Sequence, residues 1–510
     1  METIGSKGLL KKSEFIRIII DALSSLGFGD IAASLEKRSG IFLHSPIVTN
    51  FLDLVKKGEW DKSIEALQGF ELRDDKPVKF FLLEQKFLAL LNMGNARDAL
   101  RTLREEIVPL DVYENRIPKL AIKLIIPSGE DAESVNSSSK VVQKLQKLFP
   151  PAVLFPEKKL EYLLEMILDL QRRHCNFHNI PDSDLTVCSG HRCDQRKIPT
   201  ETVQILEGHT HDVLFLKFSH NGKLLASSSS DNSAIIWEID AQGKFSQKHK
   251  LVGHKKPVVV VLWSPDDRQV ITCGENEVIR RWDVGSGEFV RSYERNGLAS
   301  LSCGWVHDGS GIIGAMADRR IYMWNLDGTE LQHEQDERAN NLFDVAMTTD
   351  GKWLVSVGKE GNEISLFDRE TGAENKLIPG KRDIASFSLS KDNSHLLIDL
   401  DTYEIQIWNI QGQPYKVLEF DGHRRKRFTL RSCFGGYAES FIASGSENEL
   451  VYIWHVREQK TPYRVLQGHS EAVNCVSWSP TDLHMLASAS DDRTIRIWGL
   501  DKTLDVVQWW

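Results

Sequence analysis

The 510-residue chain has no apolar run approaching the roughly 20 residues that a membrane-spanning helix needs. Its opening, METIGSKGLLKKSEF, lacks the charged, apolar and small-residue order of a secretory signal. Nor is there a basic excess. Lys and Arg number 63 against 72 Asp and Glu, a net charge of −9, which argues against a dedicated nucleic-acid binder. Cysteine is sparse, and its seven copies are an odd number scattered along the chain, which fits a reducing compartment better than a disulfide framework. These absences lead us to expect a cytoplasmic and nuclear protein with neither membrane nor nucleic acid among its partners. What is present is an ordinary globular composition, 41% apolar and 26% charged, in a chain too long for a single core.

The most informative feature is internal repetition. LASASDDRTIRIWGL, residues 486–500, is nearly matched by LASSSSDNSAIIWEI, residues 225–239. Strand-ending aromatics recur at Trp237, Trp282, Trp324, Phe367, Trp408, Trp454 and Trp498, at intervals of 45, 42, 43, 41, 46 and 44 residues. Gly-His precedes four of them, at Gly208-His209, Gly253-His254, Gly422-His423 and Gly468-His469. The intervening sequence reads as short Val/Ile-rich strands separated by Asn-Gly, Asp-Asn and Ser-Pro-Thr-Asp turns, a layout that argues against helical solenoids of similar period. The repeats resemble the WD40 repeat, and seven copies imply a seven-bladed WD40 β-propeller over residues 201–510. TETVQILEGH, before the first full repeat, resembles the family's closing strand, and residues 201–206 are expected to pair with residues 493–500.

His209, Ser227, Asp231 and Trp237 in one repeat match His469, Ser488, Asp492 and Trp498 in another. His, Ser and Asp are the residue types of a hydrolase triad. Repetition favours a different reading, because a catalytic constellation is needed only once. We therefore expect hydrogen-bonded structural tetrads, degraded to Thr272 with Asn276 in the second repeat and Ser444 with Asn448 in the sixth. Repeats three to five lack Gly-His and should depend more on apolar packing. No catalytic residue and no cofactor are assigned.

Residues 1–180 change to helical periodicity. SEFIRIIIDALSSLGFGDIAASLEKRSGI reads as two helices, with Ser13 and Asp30 as caps and Gly27 as the break. Ile16, Ile19, Ile20, Leu23, Leu26, Ile31 and Leu35 form an apolar stripe that two short helices cannot bury alone, so self-association is expected. The Gly27-Phe28, Ala32-Ala33, Leu35-Glu36 and Ser39-Gly40 steps resemble a LisH dimerisation motif, at residues 8–40. Leu54, Gly58, Trp60, Ala66 and Leu67 lie in helices whose ends are marked by Ser45-Pro46, Gly58, Pro77 and Gly94-Asn95. They resemble a CTLH domain (residues 41–107) running into a CRA-like region (residues 108–180). Ser-rich residues 128–140 read as a mobile loop, Glu157–Arg173 as a helix, and residues 181–200 as a linker.

A helical LisH/CTLH/CRA-like region followed by an all-β propeller resembles the WD repeat-containing protein 26 group, the WD-repeat subunits of the CTLH (GID-type) E3 ubiquitin ligase. That resemblance implies a non-enzymatic scaffold and substrate-recruiting subunit. The implied partners are protein substrates and other CTLH subunits, including a RanBPM-like protein and RING-bearing subunits. The chain itself lacks the Cys-x2-Cys pairs of a RING. A LisH–WD40 corepressor or a G-protein-β-like scaffold is the alternative.

Five further features stand out. Arg424, Arg425, Lys426 and Arg427 form a basic loop that could receive an acidic or phosphorylated peptide, direct nuclear import, or stay solvated. His174, Cys175, His178, Cys188, His191 and Cys193 lie close in sequence, but their spacings match no standard zinc finger, so they read as linker residues. DGSGIIG, residues 308–314, contains Gly-x-Gly-x-x-Gly between strands rather than at a strand-to-helix turn, so no dinucleotide site follows. Trp454-His455-Val456-Arg457 resembles a Trp-Asp-x-Arg adaptor box with His in place of Asp, and reads as a blade-closing strand. The C-terminal Gln508-Trp509-Trp510 reads as packing against the propeller.

Overall fold

The computed structural model describes residues 3–500 except 5–6, 8, 71, 73, 114–115, 126–137, 151–152, 176–177, 194–196, 296, 319, 332–341, 359–362, 378–382, 402–403, 423–429 and 458–460. The C-terminal tryptophans and the basic loop at Arg424–Arg427 therefore lie outside the described residues. Among those described, no helix is long and apolar enough to cross a membrane. The chain divides into two compact units, Met1–Leu170 and Gln171–Trp510.

The first unit opens with a helical hairpin, α1 (Lys12–Ser25) and α2 (Gly29–Ser39). Gly27 ends α1 in the left-handed conformation (φ +89°), and the N–H of Phe28 reaches back to the carbonyl of Leu23 at 2.8 Å. The expected side-chain caps are absent: Ser13 and Asp30 lie inside the first turns, and Lys11 and Phe28 take the cap positions without side-chain bonds. Ser45 does cap α3 (Pro46–Lys57), and Gly58 ends it at φ +73°.

Next come α4 (Trp60–Ala66), α5 (Lys76–Asn92), α6 (Ala96–Arg101), α7 (Ile117–Ile125), α8 (Ser138–Leu148) and α9 (Lys159–His174). Of the expected 128–140 loop, Ser138–Lys140 belong to the first turn of α8, and the rest lies outside the described residues. Helix α5 is apolar on two sides, which makes it the central helix. Val78, Phe81 and Leu82 pack with Phe51, Val55 and Leu145, whereas Phe80, Leu83 and Phe87 pack with Ala99, Leu103, Ile107 and Leu120. Edge-to-face rings of Phe51, Phe70 and Phe149, 5.4–5.5 Å apart, fix the first of these cores.

The second unit is a ring of seven antiparallel sheets. Blade one comprises Val213–Phe218, Leu224–Ser229, Ser233–Ile239 and Phe245–Val252. The Asn221-Gly222 turn joins its first two strands, with Gly222 at φ +69°. A Cβ there would also meet the Thr481 side chain, so both conformation and space require glycine. At Gly435 in blade six the constraint is space alone, because a Cβ would lie 2.1 Å from the Trp478 ring. Blade three has three strands among the described residues; a bridge from Trp324 to Glu330 begins its outer edge. In blades one, two, five and seven a bulge falls immediately before the closing tryptophan, between residues 236/237, 281/282, 407/408 and 497/498. Such bulges add twist where the outer strand must turn away from its neighbour.

The ring closes as the repeat phase predicts. Glu201–Glu207 pairs antiparallel with Thr494–Gly499, and Thr200 adds a backbone bond to Gly499 at 2.8 Å. The end of the expected 181–200 linker is thus built into the wheel: Ile198 is buried with Phe441, Trp478 and Trp498. Within the closing strand, Leu206 is buried against Ile495 and Ile497 while Val203 is half exposed. Leu206→Ala is expected to cost about 2–5 kcal/mol and to lower the melting temperature of the propeller, whereas Val203→Ala leaves it nearly unchanged; differential scanning calorimetry separates the two.

Candidate functional site

The His/Ser/Asp constellations are assembled by blade geometry. Each Gly-His precedes the innermost strand, the hydroxyl sits on the second strand, and the tryptophan closes the third. In blade one, His209 Nε2 lies 2.8 Å from Ser227 Oγ, Trp237 Nε1 donates to the same oxygen at 2.9 Å, and His209 Nδ1 meets Asp231 at 3.1 Å. Blade seven repeats this with His469, Ser488, Trp498 and Asp492 at 2.7, 2.8 and 2.7 Å.

Burial opposes ionisation of Asp231, but bonds from His209, Ser233 and the Thr210 N–H outweigh it and hold the carboxyl far below the usual carboxylate range. Asp492 is depressed in the same way, against its burial, by His469 and Thr494. The serine hydroxyls are spent between an imidazole and an indole and are buried with 0% exposure. This is cross-bracing between strands.

One of the degraded tetrads differs from expectation. In blade two the acid is Glu277, not Asn276: His254 Nδ1 meets Glu277 at 2.7 Å, while its Nε2 and Trp282 both reach Thr272 Oγ1 at 2.8 Å. The four-residue spacing from Thr272 points to Asn276, and the His-to-acid separations of 22 and 23 residues in blades one and seven admit either position; the side chain that His254 meets is the carboxylate of Glu277. Glutamate's extra methylene spans the added residue. In blade six, whose His423 lies outside the described residues, Ser444 Oγ donates to the Gly445 carbonyl, Asn448 to the Tyr452 hydroxyl and Trp454 to the Asp421 carbonyl.

Sequence reading also missed a buried polar set along inner strands. Ser386 and Ser432 bond Asp399 at 2.5 Å each, and Asp344 takes Ser302 at 2.5 Å and Arg431 at 3.3 Å. Ser302, Asp344, Ser386 and Ser432 recur at intervals of 42, 42 and 46 residues, in phase with the repeat, a signal that a search for His/Ser/Asp sets passes over.

The Trp454-His455-Val456-Arg457 stretch is a blade strand, Leu450–His455. His455 is buried on the Phe441 ring, and burial followed by the Arg457 charge lowers its pKa to about 4. Arg457 donates to the Arg173 carbonyl at 3.0 Å. In the DGSGIIG stretch, Gly311 and Gly314 leave room for Trp324 against an inner-strand hairpin, a packing role.

The predicted hairpin seam separates into three groups. Ile20 is buried inside the unit, and Ile16, Ile19, Leu23 and Leu35 are half-buried. Leu26 and Ile31 are 66% and 56% exposed, and Phe28, Phe15 and Phe42, outside the predicted stripe, are exposed with them. Ile20 therefore serves the intramolecular core, and the outward apolar surface is carried by Leu26, Ile31 and these phenylalanines.

The Cys/His stretch is not scattered. Cys175, His178, His191 and Cys193 bring ligand atoms within 4.8 Å of one another, whereas His174 stays at the end of α9 and Cys188 is exposed.

A family model for the WD domain, G-beta repeat, matches residues 200–238, 245–283 and 460–499, where the tetrad is complete among the described residues, and a model described as WDR26 Lis-homology domain matches residues 1–45. Fold and models together define a Lis-homology WD-repeat protein. The chain is 56% identical to a WD repeat-containing protein 26 homolog of Arabidopsis thaliana, covering 98% of this chain and 86% of that one. It is 39% identical to a WD repeat-containing protein WDS homolog of the same plant, over 98% of both chains. It is also 30% identical to GID complex subunit 7 of Schizosaccharomyces pombe, over 95% of this chain and 96% of that one. The chain belongs to the WD repeat-containing protein 26 family.

Two tests follow from the tetrads. Ser227→Ala or Ser488→Ala strands an imidazole nitrogen and an indole N–H, and is expected to cost about 1–3 kcal/mol in thermal or denaturant melts. Asp231 and Asp492 have folded pKa values below the unfolded value of about 3.9, so their stabilisation is complete above that value and is lost as pH falls through the folded values. Asp231→Asn with Asp492→Asn is therefore expected to flatten the fall in melting temperature below about pH 4.

Proposed function

We propose that this protein is a non-catalytic scaffold and substrate-recruiting subunit of a multi-subunit CTLH-type E3 ubiquitin ligase. The end-to-end similarity to a protein named GID complex subunit 7 carries the reading, since it spans the helical region as well as the propeller. The absence of a role for catalysis in the tetrads supports it: three blades repeat the same arrangement, with every hydroxyl committed to a buried bond. The propeller is the rigid platform and its loops carry recognition. The basic loop Arg424, Arg425, Lys426 and Arg427 is the candidate receptor for an acidic or phosphorylated segment of a substrate.

Self-association through the α1–α2 hairpin presents two propellers to one target and raises avidity by effective concentration. The exposed Leu26, Phe28 and Ile31 favour this arrangement. Other subunits, a RanBPM-like protein and RING-bearing chains among them, supply the remaining assembly and the ubiquitin-transfer chemistry.

Affinity purification of the tagged chain is expected to recover RING-bearing CTLH subunits and a RanBPM-like protein. Recovery of deacetylases or transcription factors alone would establish the corepressor reading instead. Leu26→Asp with Ile31→Asp, both at exposed positions, is expected to lower the oligomeric mass in light scattering while the melting of the propeller stays unchanged; an unaltered mass removes the hairpin as the seam.

A further inference from the structure

We propose that Cys175, His178, His191 and Cys193 form a structural zinc site, with two thiolates and two imidazoles as its four ligands. Geometry selects these four from six candidates. His178 Nδ1 and His191 Nε2 are 2.9 Å apart, and Cys193 Sγ lies 3.2 Å from His191 Nε2 and 3.8 Å from His178 Nδ1. Zinc bonds of about 2.3 Å to sulfur and 2.0–2.1 Å to nitrogen give tetrahedral edges of about 3.4 Å between nitrogens and about 3.6 Å between nitrogen and sulfur. The nitrogen–sulfur separations of 3.2 and 3.8 Å bracket their edge, the nitrogens at 2.9 Å stand about 0.5 Å closer than theirs, and Cys175 Sγ completes a set lying within 4.8 Å.

The ligand chemistry points to the same ion. Two sulfurs and two nitrogens in a tetrahedral set favour zinc, and no carboxylate enters the cluster to favour a harder cation. Coordination converts both thiols to thiolates and releases two protons, so the 2+ charge of the ion is balanced by its ligands. The second nitrogen of His178 faces Asp182 Oδ1 at 3.8 Å, the position of an outer carboxylate that orients a metal-bound imidazole. Four protein ligands leave no open coordination position, so the site is structural rather than catalytic.

Its position explains what the ion does. Residues 181–193 are mostly exposed and supply almost no apolar surface, so burial alone does not hold this loop. Yet its ends are tied to the propeller. The His178 ring meets the Tyr437 ring edge-on at 5.1 Å. Asn179, fully buried, donates to the carbonyls of Lys197 and Leu483 at 2.9 and 3.2 Å and accepts from Tyr437 N–H at 2.9 Å. An ion at the cluster closes the loop between Cys175 and Cys193 and fastens the segment ahead of the closing strand against blades six and seven.

The test uses the full chain purified without chelator. One zinc per molecule is expected by inductively coupled plasma mass spectrometry. Cobalt exchanged for zinc is expected to show thiolate-to-metal charge transfer and intense tetrahedral d–d absorption. Cys193→Ser should lose the metal and the cobalt spectrum, and Cys188→Ser should retain both. Should Cys193→Ser fail to fold, His191→Cys supplies the decisive variant: a retained metal with cobalt absorption shifted toward a three-thiolate site is expected. Substoichiometric zinc in wild-type protein expressed with added zinc, or a metal content unchanged in Cys175→Ser with Cys193→Ser, would overturn the site. Neither result bears on the scaffold reading, which rests on other residues.

Discussion

Closure of the ring is the constraint from which the rest of the propeller follows. Without it the last blade would end at Thr494–Gly499, leaving that strand's outer N–H and C=O groups free to pair with another chain. Glu201–Glu207 covers that edge, so the last blade is made from the two ends of the repeat region. This pairing joins residues nearly 300 positions apart and makes the wheel one cooperative body rather than a chain of blades. Because Thr200 and Ile198 continue into the same blade, the segment ahead of the wheel is fixed to it as well.

Within that frame the tetrads answer a local problem. Blades one, two and seven must each hold a buried indole N–H and a buried imidazole, and either left unpaired would carry a desolvation penalty. One hydroxyl satisfies both, and the carboxylate fixes the imidazole from its other side. Blades without the set use other partners. Trp408 donates to Gln406, and Tyr322 donates to Asp318 beneath the Arg295 guanidinium. A residue triad that resembles a hydrolase is therefore a fastening repeated where the fold needs it.

The helical unit is organised on a different principle. Helix α5 carries large apolar residues all around, so helices pack on both of its sides, and the rest of the unit is arranged by that demand. The α1–α2 hairpin retains exposed Leu26, Phe28 and Ile31. Its periodic stripe was visible in the sequence, but periodicity does not say which part of a broad stripe turns inward. Ile20 is the residue of the stripe that is buried. Likewise Ser13 and Asp30 have the chemistry of caps without the position, since Lys11 and Phe28 carry the non-helical backbone at which a cap bond forms.

The sequence alone determined whatever is written within one repeat or one helix: the period near 43 residues, the strand-turn alternation, the complete tetrads of blades one and seven, and the glycines that end α1 and α3. Those features rest on contacts between near neighbours, for which spacing is a sufficient guide. Only the tertiary structure decided the features made by packing. It selected Glu277 over Asn276, because side-chain reach rather than position count meets His254. It gathered Cys175, His178, His191 and Cys193 while leaving Cys188 outside. The loop holding those four residues has no periodicity of its own, and its shape comes from Tyr437 and Leu483, more than 250 residues away along the chain.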